Sequence, residues 1–135
     1  MLKRISIAVA LLALTPAISL AQTPVTVTTP QITTDVENRT ATLSWTAPTK
    51  YTDGSTITEP ISYNVYAGLC SLATLPKVVG PITSLGTVMT NQPAGEMCYQ
   101  LTAQVPNGGE SARTVRGSKT FPFPKPNTTP TLTVQ

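Results

Sequence analysis

Thr40-Ala41-Thr42-Leu43-Ser44-Trp45-Thr46-Ala47-Pro48 decides how the chain is read. Ala41, Leu43 and Trp45 alternate with Thr40, Thr42, Ser44 and Thr46, the period of a strand with one apolar face and one hydroxyl face. Trp45 is the only tryptophan of the 135 residues, and Pro48 stops the run. Once the N-terminus is set aside, no long stretch repeats apolar residues at helical spacing. Thr and Val, abundant throughout, favour pleated, half-buried surfaces. The chain therefore reads as all-β.

Outward from that strand, the same alternation recurs. Ile61 to Ala67 puts Tyr63, Val65 and Ala67 on one face and Ser62, Asn64 and Tyr66 on the other. Met97 to Val105 places Met97, Tyr99, Leu101, Ala103 and Val105 inward and Cys98, Gln100, Thr102 and Gln104 outward. Shorter runs at Val25–Val27, Lys77–Val79 and Leu85–Thr90, and a last one at Ser111–Phe121, complete about seven strands. Ile32 to Arg39 reads as a polar connection. Asp53-Gly54, Gln92-Pro93-Ala94-Gly95 and Pro106-Asn107-Gly108-Gly109 supply turns. Regular turns between short strands predict an antiparallel β-sandwich. Leu43, Trp45, Tyr63, Val65, Tyr99 and Leu101 are its expected core.

The ends read differently. Lys3 and Arg4, then the apolar Ile5–Leu14, then Ser19-Leu20-Ala21, have the three parts of a cleaved export signal. The apolar run is shorter than the roughly 20 residues a membrane span needs. The expected organisation is a signal peptide over 1–21, a sandwich over 22–121 and a Pro/Thr-rich tail over 122–135. An uncleaved N-terminal anchor is the alternative. Without Lys3 and Arg4 the formal net charge falls from +3 to +1, so no basic patch argues for nucleic acid. No membrane span is expected after cleavage, and the product reads as a secreted or periplasmic monomer. Pro122, Pro124 and Pro126 exclude a continuing ladder and predict an extended, semi-rigid path. Asn127 to Gln135 reads as a Thr-rich tail, with a weak strand as an alternative at Thr131–Val134.

Three blocks resemble a fibronectin type III domain of the bacterial or phage type. They are Leu43-Ser44-Trp45-Thr46-Ala47-Pro48 with Thr52-Asp53-Gly54-Ser55, then Tyr63-Asn64-Val65-Tyr66-Ala67-Gly68, then Cys98-Tyr99-Gln100-Leu101-Thr102-Ala103 with Asn107-Gly108-Gly109-Glu110-Ser111. The resemblance implies seven strands in Greek-key order, in sheets of three and four, with Trp45 as the second-strand core tryptophan. Two positions depart from the family. Met97 stands where a corner tyrosine is usual, leaving Tyr99 as its possible substitute. The last hairpin carries Asn107-Gly108-Gly109-Glu110, with no Arg-Gly-Asp for adhesion. In the resembled fold the third and sixth strands are antiparallel neighbours. Cys70 and Cys98 share the outward phase of those strands, which implies a disulfide between them. Two free thiols are the alternative.

The chain has no histidine, the commonest general base and metal ligand. Its acids fall mostly in expected loops, and two cysteines are too few for a structural zinc site. These features argue against an enzyme, and no cofactor is expected. Asp53 reads as a turn cap rather than a catalyst. Arg113, Arg116 and Lys119 read as edge protection, with an anion-binding patch as the alternative. Asn38-Arg39-Thr40 and Asn127-Thr128-Thr129 fit a glycosylation triplet but carry little weight in a bacterial or viral chain. Tyr51, Asp53, Ile57 and Tyr66 are the candidate binding surface, because exposed tyrosines stack on sugars or anchor interfaces. The expectation is a non-catalytic, exported module binding an unknown protein or glycan at the cell envelope. The alternatives are a glycan-binding module and a phage- or prophage-encoded envelope or virion protein.

Overall fold

The computed structural model describes residues 22–123. The expected leader, 1–21, and the tail from 124 onward lie outside them. Seven strands follow in order: β1 Gln31–Asp35, β2 Thr40–Ser44, β3 Ser62–Leu69, β4 Lys77–Ile82, β5 Gly86–Met89, β6 Gly95–Gln104 and β7 Gly117–Phe121. They form a three-stranded sheet, β1-β2-β5, and a four-stranded sheet, β4-β3-β6-β7. Every pairing is antiparallel. The all-β sandwich of seven strands is the architecture the alternation predicts.

The inward sets meet between the sheets. Ala41 and Leu43 of β2 face Tyr63, Val65 and Ala67 of β3 and Met97, Tyr99, Leu101 and Ala103 of β6, with Phe121 closing one end. Trp45 joins this core one residue past β2, its ring edge-on to Tyr63 at 5.5 Å and 63°. It therefore sits near one end of the core rather than at its middle. Its indole N–H has no partner among the described residues.

Two strand assignments differ from the sequence reading. Val25–Val27 is not a strand, and the first strand lies inside the stretch read as a connection. Gln31–Asp35 pairs with β2 from Gln31↔Ser44 to Asp35↔Thr40. One apolar side chain, Ile32, suffices there, because an edge strand buries little. Residues before it run as a strap instead: the Val25 amide donates to Lys50 carbonyl and the Gly109 amide to Gln22 carbonyl, while Val27 is still buried. A side chain at Gly108 would collide with the Gln22 carbonyl, so glycine is required for the strap to lie there.

The last strand is also shorter than expected. Ser111–Arg116 leaves the ladder and only Gly117–Phe121 pairs regularly with β6. Single bonds still tie the departing segment to β6, from the Ser111 amide to Ala103 carbonyl and from the Thr114 amide to Leu101 carbonyl. The corner position is resolved by Tyr99. Its hydroxyl donates to Gln92 Oε1 at 2.7 Å, and the Gln92 amide donates to Arg39 carbonyl. Met97 simply joins the core.

Candidate functional site

The outward face of β3 and β6 was expected to be wet, yet Asn64, Tyr66, Cys98 and Thr102 are all buried. The cover comes from two loops. Cys70 and Cys98 are joined, with Cα atoms 4.9 Å apart, within the range that disulfide geometry allows. The bridge holds the Cys70–Leu75 loop down, and Tyr66, Leu75 and Cys98 form a second small core. From the other side, Arg113 reaches across β6. Its guanidinium lies 3.7 Å from the centre of the Tyr66 ring, a cation–π contact, and donates to Leu75 carbonyl at 3.0 Å. Arg116 donates to the carbonyls of Cys70 and Ala73. These arginines clamp a loop; they are neither free for anions nor simple edge charges. Lys119 remains exposed on β7.

Glu110 completes the cover. One carboxylate oxygen, Oε1, accepts from Asn64 Nδ2 at 2.9 Å, Tyr66 hydroxyl at 2.8 Å and Thr102 hydroxyl. The Thr102 hydrogen bond is the largest influence holding the Glu110 carboxyl below its ordinary value; Asn64, Tyr66 and the charge of Lys77 add to it, against partial burial. The arrangement is a latch from the β6–β7 connection to β3. It offers no proton shuttle, since its one acid is committed as an ionised acceptor. A depressed folded pKa means that stability is present above the unfolded value of about 4.5 and lost as pH falls through the folded one. Glu110→Gln is expected to flatten the pH dependence of the unfolding midpoint below about pH 4.5 relative to the parent. Equal acid slopes for the two proteins would show the latch is not ionised.

The loop from Ala47 to Pro60 is equally committed. Lys50 bridges to Thr56 and Pro24 to Tyr51. Tyr51, expected exposed, is buried at 4% accessibility, and its hydroxyl donates to Glu59. The long loop folds back as a small hairpin, with Tyr51 amide donating to Ser55 carbonyl, and that encloses the ring. Asp53 caps the turn as read, accepting from the Ser55 amide at 2.9 Å and also from Gln22 Nε2 at 2.8 Å. Ile57 is half-buried. Tyr66, at 8%, is likewise not an exposed platform. The four candidates do not converge: Tyr51, Asp53 and Ile57 share the loop, while Tyr66 lies under Arg113.

All four tyrosines have raised pKa values. Tyr51 is pushed to about 12, chiefly by its hydrogen bond to Glu59, and Tyr99 to about 12 by burial. Burial also raises Tyr63 and, with Glu110, Tyr66. A raised folded value leaves stability intact below the unfolded value of 10.0 and removes it as pH climbs toward 12. Phenolate absorbance is expected to stay absent to about pH 10 and then appear together with loss of tertiary structure. A tyrosine ionising near pH 10 in the intact fold would contradict the burial of that ring.

Two clefts remain. One, of about 340 Å³, is lined mainly by Pro60, Ile61, Pro81, Val105 and Pro106. The other, of about 320 Å³, is lined by Thr28, Thr29, Gln31, Ser44, Trp45 and Thr46. Neither lining contains a charged residue. Among the described residues no group of three His, Cys, Asp or Glu is placed to hold a metal, and no helix is long and apolar enough to cross a membrane.

The sheet edges differ sharply. β1 and β7 lie against each other, with Gly117 beside Ile32 and Pro30. β4 carries Lys77, shifts register against β3 and holds Pro81, all features that block further pairing. β5 has neither charge nor proline, and its shortness, four residues, is its one protection. Gly86-Thr87-Val88-Met89 is uncharged and proline-free, and Val88 is 59% exposed. The Trp45 amide donates to Leu85 carbonyl. By antiparallel alternation, Thr87 and Met89 therefore bond β2, while the amides and carbonyls of Gly86 and Val88 point out of an edge that no described strand pairs with. Ser84 hydroxyl takes the Gly86 carbonyl. The sequence reading missed this edge; its signal was the lack of any lysine or proline across a four-residue strand.

Comparison with solved structures places the fold. A fibronectin type III-like protein from Clostridium thermocellum superimposes with a TM-score of 0.57 at 23% identity, over 76% of this chain and 97% of that one. The human fibronectin type III domain of fibronectin type III domain containing protein 3 gives 0.62 at 17% identity, over 83% and 99%. The sixth such domain of that human protein gives 0.58 at 19% identity, over 78% and 93%. The fold is thus that of fibronectin type III domains. No family model and no curated protein matches the chain.

Proposed function

We propose that this chain is an exported, non-catalytic fibronectin type III-like module that binds protein at the cell envelope, using the free edge of β5. The single observation that carries this reading is a short edge strand that has no charge or proline and leaves Val88 exposed. Soluble sandwiches protect long or apolar edges, and an open one serves as a template for an added strand. The polar groups around the candidate surface are engaged in holding the fold: Glu110, Tyr66 and Arg113 in the latch, Tyr51, Glu59 and Asp53 in the loop. The glycan alternative loses its stacking platforms, since Tyr51 and Tyr66 are enclosed. Export is supported by the leader-like residues 1–21 and agrees with the disulfide, which persists in oxidising compartments. A bacterial or phage origin rests on the sequence resemblance.

The test is a photoreactive amino acid at position 88, crosslinked in the producing cell, with the same group at Lys77 on the guarded edge as control. A defined protein adduct from position 88 and none from position 77 is expected. No adduct at 88, or equal adducts at both, would overturn the assignment of this edge.

A further inference from the structure

We infer that Asn107 is a site of spontaneous deamidation, and that its conversion to isoaspartate releases the N-terminal strap from the β6–β7 connection. The fold itself sets up the reaction. A side chain at position 108 would collide with the Gln22 carbonyl and with Val105, so the strap requires glycine there. That requirement leaves the amide nitrogen after Asn107 unshielded by any Cβ, in the one Asn-Gly pair of the sequence. Asn107 is exposed in the turn that follows β6, where water and base reach its carboxamide.

The step is balanced within the chain and solvent. The Gly108 nitrogen attacks Cγ of Asn107 and gives up its proton. The bond from Cγ to Nδ2 breaks, and Nδ2 leaves as ammonia carrying that proton. Water then opens the succinimide at either carbonyl, giving aspartate or isoaspartate. The other candidates are held away from this chemistry. Asn38 Nδ2 donates to Asp35 at 2.7 Å, and Arg39 follows it. Asn64 is buried, donates to Glu110 at 2.9 Å and precedes the β-branched Val65. Asn91 precedes the buried Gln92, whose amide donates to the Arg39 carbonyl at 2.8 Å. Asp53 also precedes a glycine, but it accepts from the Ser55 amide and Gln22 as a carboxylate, which resists attack by a nitrogen. At Asn107 one restraint opposes the reaction. The Gly108 amide donates to the Val105 carbonyl at 3.2 Å, the long end of the usual range. Giving up one neutral hydrogen bond in an exposed turn slows the attack by about tenfold at most.

Isoaspartate carries the main chain through its own Cβ, so one carbon is added between residues 107 and 108. Both sides of the insertion are anchored. Val105 is buried, and Glu110 accepts from Asn64, Tyr66 and Thr102. The added length must be absorbed between them, and the strap contact lies there: the Gly109 amide donates to the Gln22 carbonyl at 3.0 Å. That bond is the one the modification breaks.

The experiment ages the full chain at mildly alkaline pH, folded and in denaturant, and follows each asparagine by peptide mass and by fragmentation that separates isoaspartate from aspartate. Asn107 is expected to convert first in the folded protein, at a rate within about tenfold of the unfolded chain. A larger slowing, or earlier conversion of another asparagine, overturns the site. Asn107→Gln, whose longer side chain closes a larger and slower ring, is expected to remove the modification. Persistence of the same conversion rate in that variant overturns the assignment. Exchange of the Gly109 amide is expected to be about tenfold faster in the isoaspartyl form and unchanged in Asn107→Asp, which adds the charge without the carbon. Unaltered Gly109 exchange in the isoaspartyl form overturns the release of the strap, and an equal rise in Asn107→Asp overturns its attribution to chain length.

Discussion

Reducing the Cys70–Cys98 bridge, or replacing both residues by alanine, is expected to lower stability by about 3.5 kcal/mol in the chain-entropy model for a loop of this length. The cysteines are 28 residues apart. The loss has a second component in the native state. The bridge is one wall of the small outer core with Tyr66 and Leu75, and the loop it pins provides the carbonyls that receive Arg113 and Arg116. Denaturant midpoints with and without reductant measure the sum, and thiol titration of the unfolded, unreduced protein checks the bond itself. Two reactive thiols per chain, or a midpoint unmoved by reductant, would contradict it. A domain of this size has total stability of roughly 5–15 kcal/mol, so reduction is a large perturbation.

Phe121→Ala is expected to cost about 3–5 kcal/mol, the range for emptying a fully buried aromatic site. Phe121 is fully buried at the end of β7, where it pairs with Gly95 and closes the end of the core that holds Met97. Phe123, two residues on, is 77% exposed, and Phe123→Ala is expected to change the midpoint by less than about 0.5 kcal/mol, as for ordinary surface positions. The contrast locates the end of the sandwich at residue 121. Equal effects at the two positions would show that the boundary lies elsewhere.

The parts of this structure legible in the sequence are those with strong period. Leu43, Tyr63, Val65, Tyr99 and Leu101 alternate with polar neighbours over long runs, so their inward phase was plain, and with it the sandwich. Cys70 and Cys98 could be paired because their strands are neighbours in the resembled fold. What failed was local. β1 carries one core side chain, Ile32, among hydroxyls and an acid, and a pattern that sparse does not distinguish an edge strand from a connection. Tyr51 and Tyr66 looked outward by loop position and by phase. Neither sign shows that a loop will fold back as a hairpin, or that Arg113 will cross a sheet to cover a ring. Glu110 was noted only as a loop acid. Its three donors come from β3 and β6, 44 to 46 and 8 residues away in sequence, so only the fold assembles the latch. The β5 edge was hidden for another reason: its character lies in an absence of charge and proline, visible only once it is known which strands are edges.

The functional claim comes down to whether the β5 edge is open, and amide hydrogen exchange on the dilute protein, read residue by residue, tests that most directly. Gly86 and Val88 are expected to exchange rapidly, with Thr87 and Met89, bonded to β2, protected between them. Slow exchange at Val88 matching that of Thr87 would mean the edge is already covered in the single chain, and would contradict its assignment as the binding site.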